Sequence, residues 1–221
     1  MHIEPGWIAE PKIQWAWAAL AAVVARHAWP LLRDPSQVLR AVLAAVFFTV
    51  CMQIAHTKVG PSELHFIAAL PIYLSFGFLP TLFGFILGLV FQGLVFEPQD
   101  LVHLPVNSLS LVLPLIAMHW MRGREVLAQG LGRRLGAAAR EVAGLDAMYY
   151  LGVTAMVGFW LSIGNTVTPL ADFARFALSY SLWIVVEPVL TTSVLLAVKG
   201  LPQGWRDSRV LRACLRPAQA H

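Results

Sequence analysis

The sequence predicts an all-α integral membrane protein: a bundle of about seven transmembrane helices, with the N-terminus outside and the C-terminus in the cytoplasm. The composition, the lengths of the apolar blocks and the distribution of basic residues carry this prediction. Hydrophobic residues make up 58% of the 221 residues and charged residues 13%, whereas soluble domains carry about 25% charged residues. We expect one polytopic membrane domain over residues 1–200 and a basic cytoplasmic tail over 201–221.

Six apolar blocks follow one another along the chain, at 13–32, 39–56, 66–96, 104–121, 145–164 and 178–198. The third would extend about 46 Å as a single helix, whereas the hydrocarbon core of a bilayer is about 30 Å thick. Pro80 lies inside this block, and a proline interrupts a helix. We therefore expect two helices, 66–79 and 80–96, the first of them short or partly re-entrant, and seven spans in total.

The basic residues support seven spans independently. Seven spans place thirteen lysines and arginines on one side of the membrane and leave Lys12, Lys58 and Arg175 on the other. Five of the thirteen lie in the loop Arg122–Arg140 and five in the tail after residue 198. Because cytoplasmic loops carry the excess of basic residues, the rich side is the cytoplasmic one. The net charge of +4 then reflects topology and contact with anionic lipid, and requires no nucleic-acid partner.

Several classes of function are unsupported by motifs. The sequence contains no Gly-rich phosphate loop of the Walker type, so we expect no ATPase activity of its own. Cys51 lies in an apolar run and Cys214 in the basic tail, which argues against a disulfide or a cysteine metal site. A metal site in this chain would therefore consist of nitrogen and oxygen ligands.

The first two residues are the best candidates for such a site. A free α-amine, the amide nitrogen of residue 2 and the Nδ1 atom of His2 can close two fused chelate rings around one ion. This planar nitrogen set suits nickel(II) or copper(II) better than zinc(II). His65, at the start of the third span, is a candidate fourth ligand, and His56 ends the second span on the same outer side. Histidines at helix ends are also common as ordinary interfacial residues, so both interpretations remain open.

Two further features have alternative interpretations. Ala18 and Ala22 of the first span are small residues four apart, which permit either docking of a partner helix or internal packing. Glu187 lies inside the last span beside Pro188, where an unpaired carboxylate is costly. We interpret Glu187 as structural, either capping backbone that Pro188 leaves free or pairing with another helix, in preference to a metal ligand.

Short motifs resemble those of one known family, the substrate-capture subunits of cobalt and nickel energy-coupling factor transporters (CbiM/NikM type). Met1-His2-Ile3 with Gly6 resembles the N-terminal Met-His-Ile-Pro-Asp-Gly signature of that family. The remaining similarities follow in order along the chain: Gln53 and His56 at the end of the second helix, Ser62 and His65, Gly77 and Pro80, Gln92-Gly93-Leu94-Val95-Phe96, Asn107, and Glu187-Pro188-Val189-Leu190-Thr191.

The resemblance implies a specific function and site. The metal ligands would be Met1 (its amine), His2 (backbone nitrogen and side chain) and His65. Gln53, His56 and Asn107 would support these ligands by hydrogen bonds. Cobalt(II) or nickel(II) would be the transported substrate, with no permanently bound cofactor. The partners would be a transmembrane coupling protein, paired ATPases and a small accessory membrane subunit, in a bacterial plasma membrane.

Two alternatives belong to other classes. The first is an intramembrane enzyme, which the sequence disfavours because it lacks a Gly-x-Ser-x-Gly elbow, a His-Glu-x-x-His helix and paired intramembrane aspartates. The second is a membrane scaffold whose metal site has decayed. The sequence does not decide between cobalt and nickel, because selection between these ions depends on geometry and availability.

Overall fold

The computed structural model describes residues 2–3, 6–54, 56–59, 62–129, 135–165 and 168–200. The helices are α1 (Glu10–Leu32), α2 (Pro35–Ile54), α3 (Ala69–Phe76), α4 (Phe78–Val95), α5 (Leu104–Met118), α6 (Arg124–Gln129), α7 (Leu135–Ser162) and α8 (Leu170–Gly200). A 3-10 turn over Pro98–His103 precedes α5, and a π turn over His119–Gly123 joins α5 to α6. Three short strands complete the fold: β1 (His2–Ile3), β2 (His56–Val59) and β3 (Ser62–His65).

The predicted helical membrane bundle is confirmed. Within the described residues, five helical segments are long and apolar enough to cross a bilayer: Pro35–Ile54, Phe78–Val95, Pro98–Gln129, Gly136–Ser162 and Leu170–Ser193. α1 and α3 bring the number of helical bodies in the bundle to seven. α1 has 23 residues, about 35 Å, but carries Glu10, Lys12 and Arg26. α3 has eight residues, about 12 Å, and is too short to cross.

The long apolar block 66–96 is broken one turn earlier than the sequence predicted. The break is at Gly77, whose φ of 88° lies in the region that favours glycine. Pro80, expected to divide the block, is instead the third residue of α4. The first four N–H groups of a helix have no intrahelical acceptor, so a proline in the first turn removes no hydrogen bond there. The split into two helices was thus predicted correctly, and its position was not.

α2 and α4 form the most extensive helix–helix contact among the described residues, and glycine allows their close approach. A Cβ atom added at Gly84 would lie 2.6 Å from the Cβ of Ala44, and one at Gly88 would overlap the ring of Phe48. Small residues four apart on one helix allow the backbones of two helices to approach in lipid. This pair forms one side of the bundle. β2 follows α2 along the chain, so the packing of α2 determines where the hairpin begins.

The turn between α1 and α2 is short and capped. Asp34 Oδ1 accepts a hydrogen bond of 2.9 Å from the backbone N–H of Ser36, and the backbone N–H of Gln37 donates to Asp34 O at 2.9 Å. Hydrogen bonding to Ser36 lowers the pKa of the Asp34 carboxyl group, because such bonds favour the charged form. A carboxylate at the start of α2 also complements the helix dipole.

Candidate metal centre

A β-hairpin connects α2 to α3, in a stretch that the sequence predicted as the loop Thr57–Leu64. β2 and β3 pair in antiparallel fashion, and their register places His56 opposite His65 and Lys58 opposite Glu63. Residues 60 and 61 at the tip lie outside the described residues. The hairpin forms because Thr57 and Val59 favour extended backbone and Gly60-Pro61 is typical of a turn.

The N-terminal strand adds to the other edge of this hairpin. β1 pairs antiparallel with β3, with His2 opposite Glu63 and Ile3 opposite Ser62, so the strand order is β1-β3-β2. β1 and β3 are therefore neighbouring strands, although about 60 residues separate them along the chain.

This register gathers the three predicted histidines on one face of the sheet. Directly opposed residues share a face, and so do residues two apart along a strand. Position 2 is opposite position 63, position 63 is two residues from 65, and position 65 is opposite 56. In such sheets opposed Cβ atoms lie about 5 Å apart and diagonal neighbours about 7–8 Å apart, so positions 2 and 56 both neighbour position 65 on this face.

His65 is the one member of this group whose side chain the structure describes. It is 2% exposed, and its Nδ1 atom lies 3.3 Å from the carbonyl oxygen of Met52. A carbonyl oxygen can only accept, so this hydrogen bond requires a proton on Nδ1. A neutral imidazole with a protonated Nδ1 keeps its lone pair on Nε2, and a backbone carbonyl is a common partner for a metal-binding histidine.

Two of the predicted supporting residues flank this sheet. Gln53 follows Met52 in the last turn of α2 and is half-buried. Asn107 lies in the first turn of α5 and is buried, and α5 and the 3-10 turn before it both contact β1. The sequence analysis overlooked His103, which is fully buried one helical turn before Asn107. The spacing His103-x-x-x-Asn107 was the available signal, because residues four apart share a helix face.

The N-terminal arm is held against the loop between α7 and α8. The backbone N–H of Asn165 donates to Trp7 O at 2.8 Å, and its side-chain amide donates to Gly6 O at 3.3 Å. The Lys12 ammonium donates to the carbonyl of Ile163. Gly6 has a φ of 92°, which explains a glycine at this position of the N-terminal motif.

The predicted ligand set falls largely outside the described side chains. Met1 is not among the described residues, and for His2 and His56 the structure describes the backbone only. Among the side chains that it does describe, no three of His, Cys, Asp or Glu lie close enough together to hold a metal ion. The assignment of Met1, His2 and His65 as ligands therefore stays a prediction, supported by the register of the sheet.

Comparison with known proteins identifies the family. The family described as CbiM, the cobalt uptake substrate-specific transmembrane region, matches residues 2–203. The chain belongs to the CbiM family. It is thus a multi-pass membrane protein of a metal-transport family, and the resemblance drawn from its motifs is confirmed. No curated protein is similar enough in sequence to count as a relative of this CbiM-family chain.

Two solved structures share this CbiM-family fold. A transition metal transporter is 19% identical with a TM-score of 0.70, over 96% of each chain. A truncated transition metal transporter is also 19% identical, with a TM-score of 0.69, over 90% of this chain and 98% of the other. At this level of identity the similarity establishes the arrangement of helices, in agreement with the predicted bundle.

Glu187 has a structural role, as predicted. Of the two roles considered, pairing with another helix is the one observed in the described part of the chain, and capping of backbone near Pro188 is not. Its Oε1 atom accepts a hydrogen bond of 2.9 Å from the backbone N–H of Leu70 in the first turn of α3. Its Oε2 atom accepts one from the Tyr150 hydroxyl group, and the Asp146 carboxyl group of α7 lies nearby. Glu187 therefore caps another helix, and no bond from it to backbone near Pro188 is seen among the described residues.

Asp146 and Glu187 form a buried carboxyl pair that the sequence analysis did not anticipate. Both side chains are fully buried, and the two carboxyl groups are close enough to interact electrostatically. The residues lie on different helices, α7 and α8, so no local spacing in the sequence signals the pair.

Proposed function

We propose that this protein is the metal-capture subunit of an energy-coupling factor transporter that imports cobalt(II) or nickel(II) across a bacterial plasma membrane. The ligands are the α-amine of Met1, the backbone nitrogen and imidazole of His2, and His65. His56, Gln53 and Asn107 support these ligands by hydrogen bonds. Membership in a cobalt-uptake family is the background to this proposal.

One observation carries the proposal beyond the family: the register of the three-stranded sheet. β1 has two residues and is paired to β3 so that positions 2, 56 and 65 share one face. A strand of two residues contributes little stability of its own. Its pairing is understandable if it presents residue 2 and the terminus next to His65. A planar nitrogen set of this kind favours nickel(II), while the family description favours cobalt(II).

The energy for transport would come from partner subunits: a transmembrane coupling protein, paired ATPases and a small accessory membrane subunit. The 221 residues contain no Walker-type phosphate loop, which agrees with this division of labour. On α1, Ala18 and Ala22 are exposed and do not serve internal packing in the described part of the chain. This small-residue face of α1 is accordingly our proposed contact for the coupling protein.

Substitution of His65 tests the proposed function. We expect purified His65→Ala to bind at least about tenfold less nickel(II) or cobalt(II), equivalent to about 1.4 kcal/mol, because one ligand of the set is lost. His27→Ala is the matched control, because His27 is a half-buried histidine of α1 whose Nδ1 atom bonds Val23 O within its own helix. His56→Ala should have a smaller effect than His65→Ala.

The outcomes separate the alternatives. Full metal binding by His65→Ala would reject the proposed ligand set, and no binding by the unsubstituted protein would favour the scaffold with a decayed site. Equal losses in His56→Ala and His65→Ala would make His56 a ligand. The enzyme alternative receives no support from the Asp146–Glu187 pair, because both side chains are fully buried inside the bundle and Glu187 accepts hydrogen bonds from Leu70 and Tyr150.

A further inference from the structure

Two side chains of α8 hold the segment that follows His65. The ring of Phe66 stacks on the ring of Trp183, with centroids 4.7 Å apart and an interplanar angle of 30°. Four residues further along both elements, the backbone N–H of Leu70 donates to Glu187 Oε1 at 2.9 Å. Residues four apart lie on one face of a helix, so Trp183 and Glu187 act from the same face of α8. We call these two residues the α8 clamp.

The segment between the two contact points is conformationally strained. Ala68 has φ 52° and ψ 42°, a left-handed conformation that is unfavourable for a residue with a Cβ atom. Such a conformation persists when the surroundings impose it. Ala68 is also fully buried, and its side chain offers no hydrogen-bond acceptor for the N-terminus of α3. The acceptor comes from Glu187 instead, whose negative charge suits a helix N-terminus.

The clamp itself is anchored in the bundle. The Tyr150 hydroxyl group donates to Glu187 Oε2, so α7 fixes the rotamer of the clamping carboxylate. α8 also packs against β2 and β3 themselves. No ion pair to Asp146 or Glu187 is seen within the described residues; the pair between Arg175 and Asp172 lies elsewhere on α8.

We propose that Trp183 and Glu187 are positioning residues for the metal site, because they fix the strained turn Phe66–Leu70 and thereby the location of the His65 imidazole. Neither residue touches the metal. This inference rests on the proposed function of His65 as a ligand. It goes beyond that function by assigning part of the metal affinity to α8, a helix whose other side carries exposed apolar side chains.

The test uses the full chain purified in detergent, with nickel(II) or cobalt(II) alone as the probe. Glu187→Met removes the acceptor at nearly constant volume, whereas Glu187→Gln keeps a carbonyl oxygen for the N–H of Leu70. We expect Glu187→Met to lower metal affinity at least about tenfold, equivalent to about 1.4 kcal/mol, and Glu187→Gln to retain affinity within about threefold. Trp183→Leu should lower affinity in the same direction.

A general loss of stability is distinguished by a control at the other end of the bundle. Met118 is buried at the end of α5, about 21 Å along that helix from its first residue, and it lies on neither α8 nor the hairpin. Met118→Ala should lower the unfolding temperature without changing metal affinity. Equal affinity losses in Met118→Ala and Glu187→Met would reduce the effect to stability and overturn the proposal.

Hydrogen exchange without metal gives a second reading. In Glu187→Met, and not in Met118→Ala, backbone exchange should accelerate in the segment 62–72. Unchanged exchange in that segment would overturn the clamp even if affinity fell. Failure of the proposed function gives a different result. Either the unsubstituted protein binds neither ion, or His65→Ala binds metal with the same affinity as the unsubstituted protein. If His65→Ala loses metal and Glu187→Met does not, the proposed function stands and the clamp is rejected.

Discussion

The hydrogen bond between His65 and Met52 is the residue-scale feature on which the metal site depends. Because the Met52 carbonyl oxygen accepts from Nδ1, the neutral imidazole of His65 carries its lone pair on Nε2. The partner is a backbone group in the last turn of α2, so substitution of the Met52 side chain leaves it intact. Orientation of the imidazole therefore depends on where α2 ends and where β3 returns beside it.

The first residue-scale prediction concerns the N-terminal amine. Insertion of Ala-Ala between Met1 and His2 leaves the terminal amine free but moves it two residues further from His2, which destroys the proposed chelate rings although every original side chain remains. We expect metal affinity to fall at least about tenfold, equivalent to about 1.4 kcal/mol. A C-terminal tag is the matched control and should be harmless. Unchanged metal content in the insertion variant would show that the amine is not a ligand.

The second concerns Gly6, whose φ of 92° is accessible to alanine only at a cost of about 1–2 kcal/mol. A Cβ atom at this position meets no other atom within 4 Å, so any effect of Gly6→Ala arises from the backbone. We expect a lower unfolding temperature and weaker metal binding, because the turn delivers β1 to β3. Gly144→Ala is the control: it also meets nothing within 4 Å, lies within α7 and should be neutral or stabilising.

At the scale of elements, the α2–α4 pair determines where the hairpin starts. The closeness of this pair depends on Gly84 and Gly88 of α4, which face Ala44 and Phe48 of α2. A change that separates α2 from α4 also moves Met52 and β2. The metal site is thus coupled to helix packing one to two turns away from it.

We therefore predict that Gly84→Ala is destabilising although alanine is the better helix former. Its Cβ atom would lie 2.6 Å from the Cβ of Ala44, which forces the helices apart, and overpacking of this kind costs about 1–3 kcal/mol. Thermal unfolding in detergent, with Gly144→Ala as the reference, measures the effect. An unfolding temperature of Gly84→Ala equal to that of Gly144→Ala would contradict this account of the α2–α4 contact.

At the scale of the whole molecule, orientation in the membrane follows from charge. Thirteen of sixteen basic residues fall on one side of a seven-segment arrangement, which predicts that this side is cytoplasmic. The short α3 does not cross a bilayer by its own length. Together with the hairpin, which ends at residue 65, and the turn to Ala68, it nevertheless returns the chain through the bundle from the end of α2 to the start of α4.

Reporter fusions test this orientation. A reporter fused after Ala220 should be active in the cytoplasm, and one inserted at Gln99, in the 3-10 turn between α4 and α5, should report the outer side. If both reporters lie on the same side, the chain does not cross the membrane an odd number of times between Gln99 and Ala220, and the proposed topology is rejected. This result would also separate the hairpin from the outer solution, from which the metal is captured.

Class and family of this protein were determined by the sequence alone, through hydrophobic blocks, charge bias and short motifs that act locally along the chain. The break in the block 66–96 was predictable as well, but not its place, because a proline in the first turn of a helix is harmless and Gly77 has a positive φ. The hydrophobic blocks indicate which segments are shielded from water. They do not indicate which residues of different segments contact one another.

The tertiary structure decided the remainder. The register that gathers positions 2, 56 and 65 depends on hydrogen bonds between strands about 60 residues apart, and the cap on α3 comes from Glu187, 117 residues beyond Leu70. The same holds for the Asp146–Glu187 pair, whose members lie on separate helices. Contacts of this kind form only when the whole bundle is packed, because the cost of bringing distant segments together is repaid by burial of the complete core.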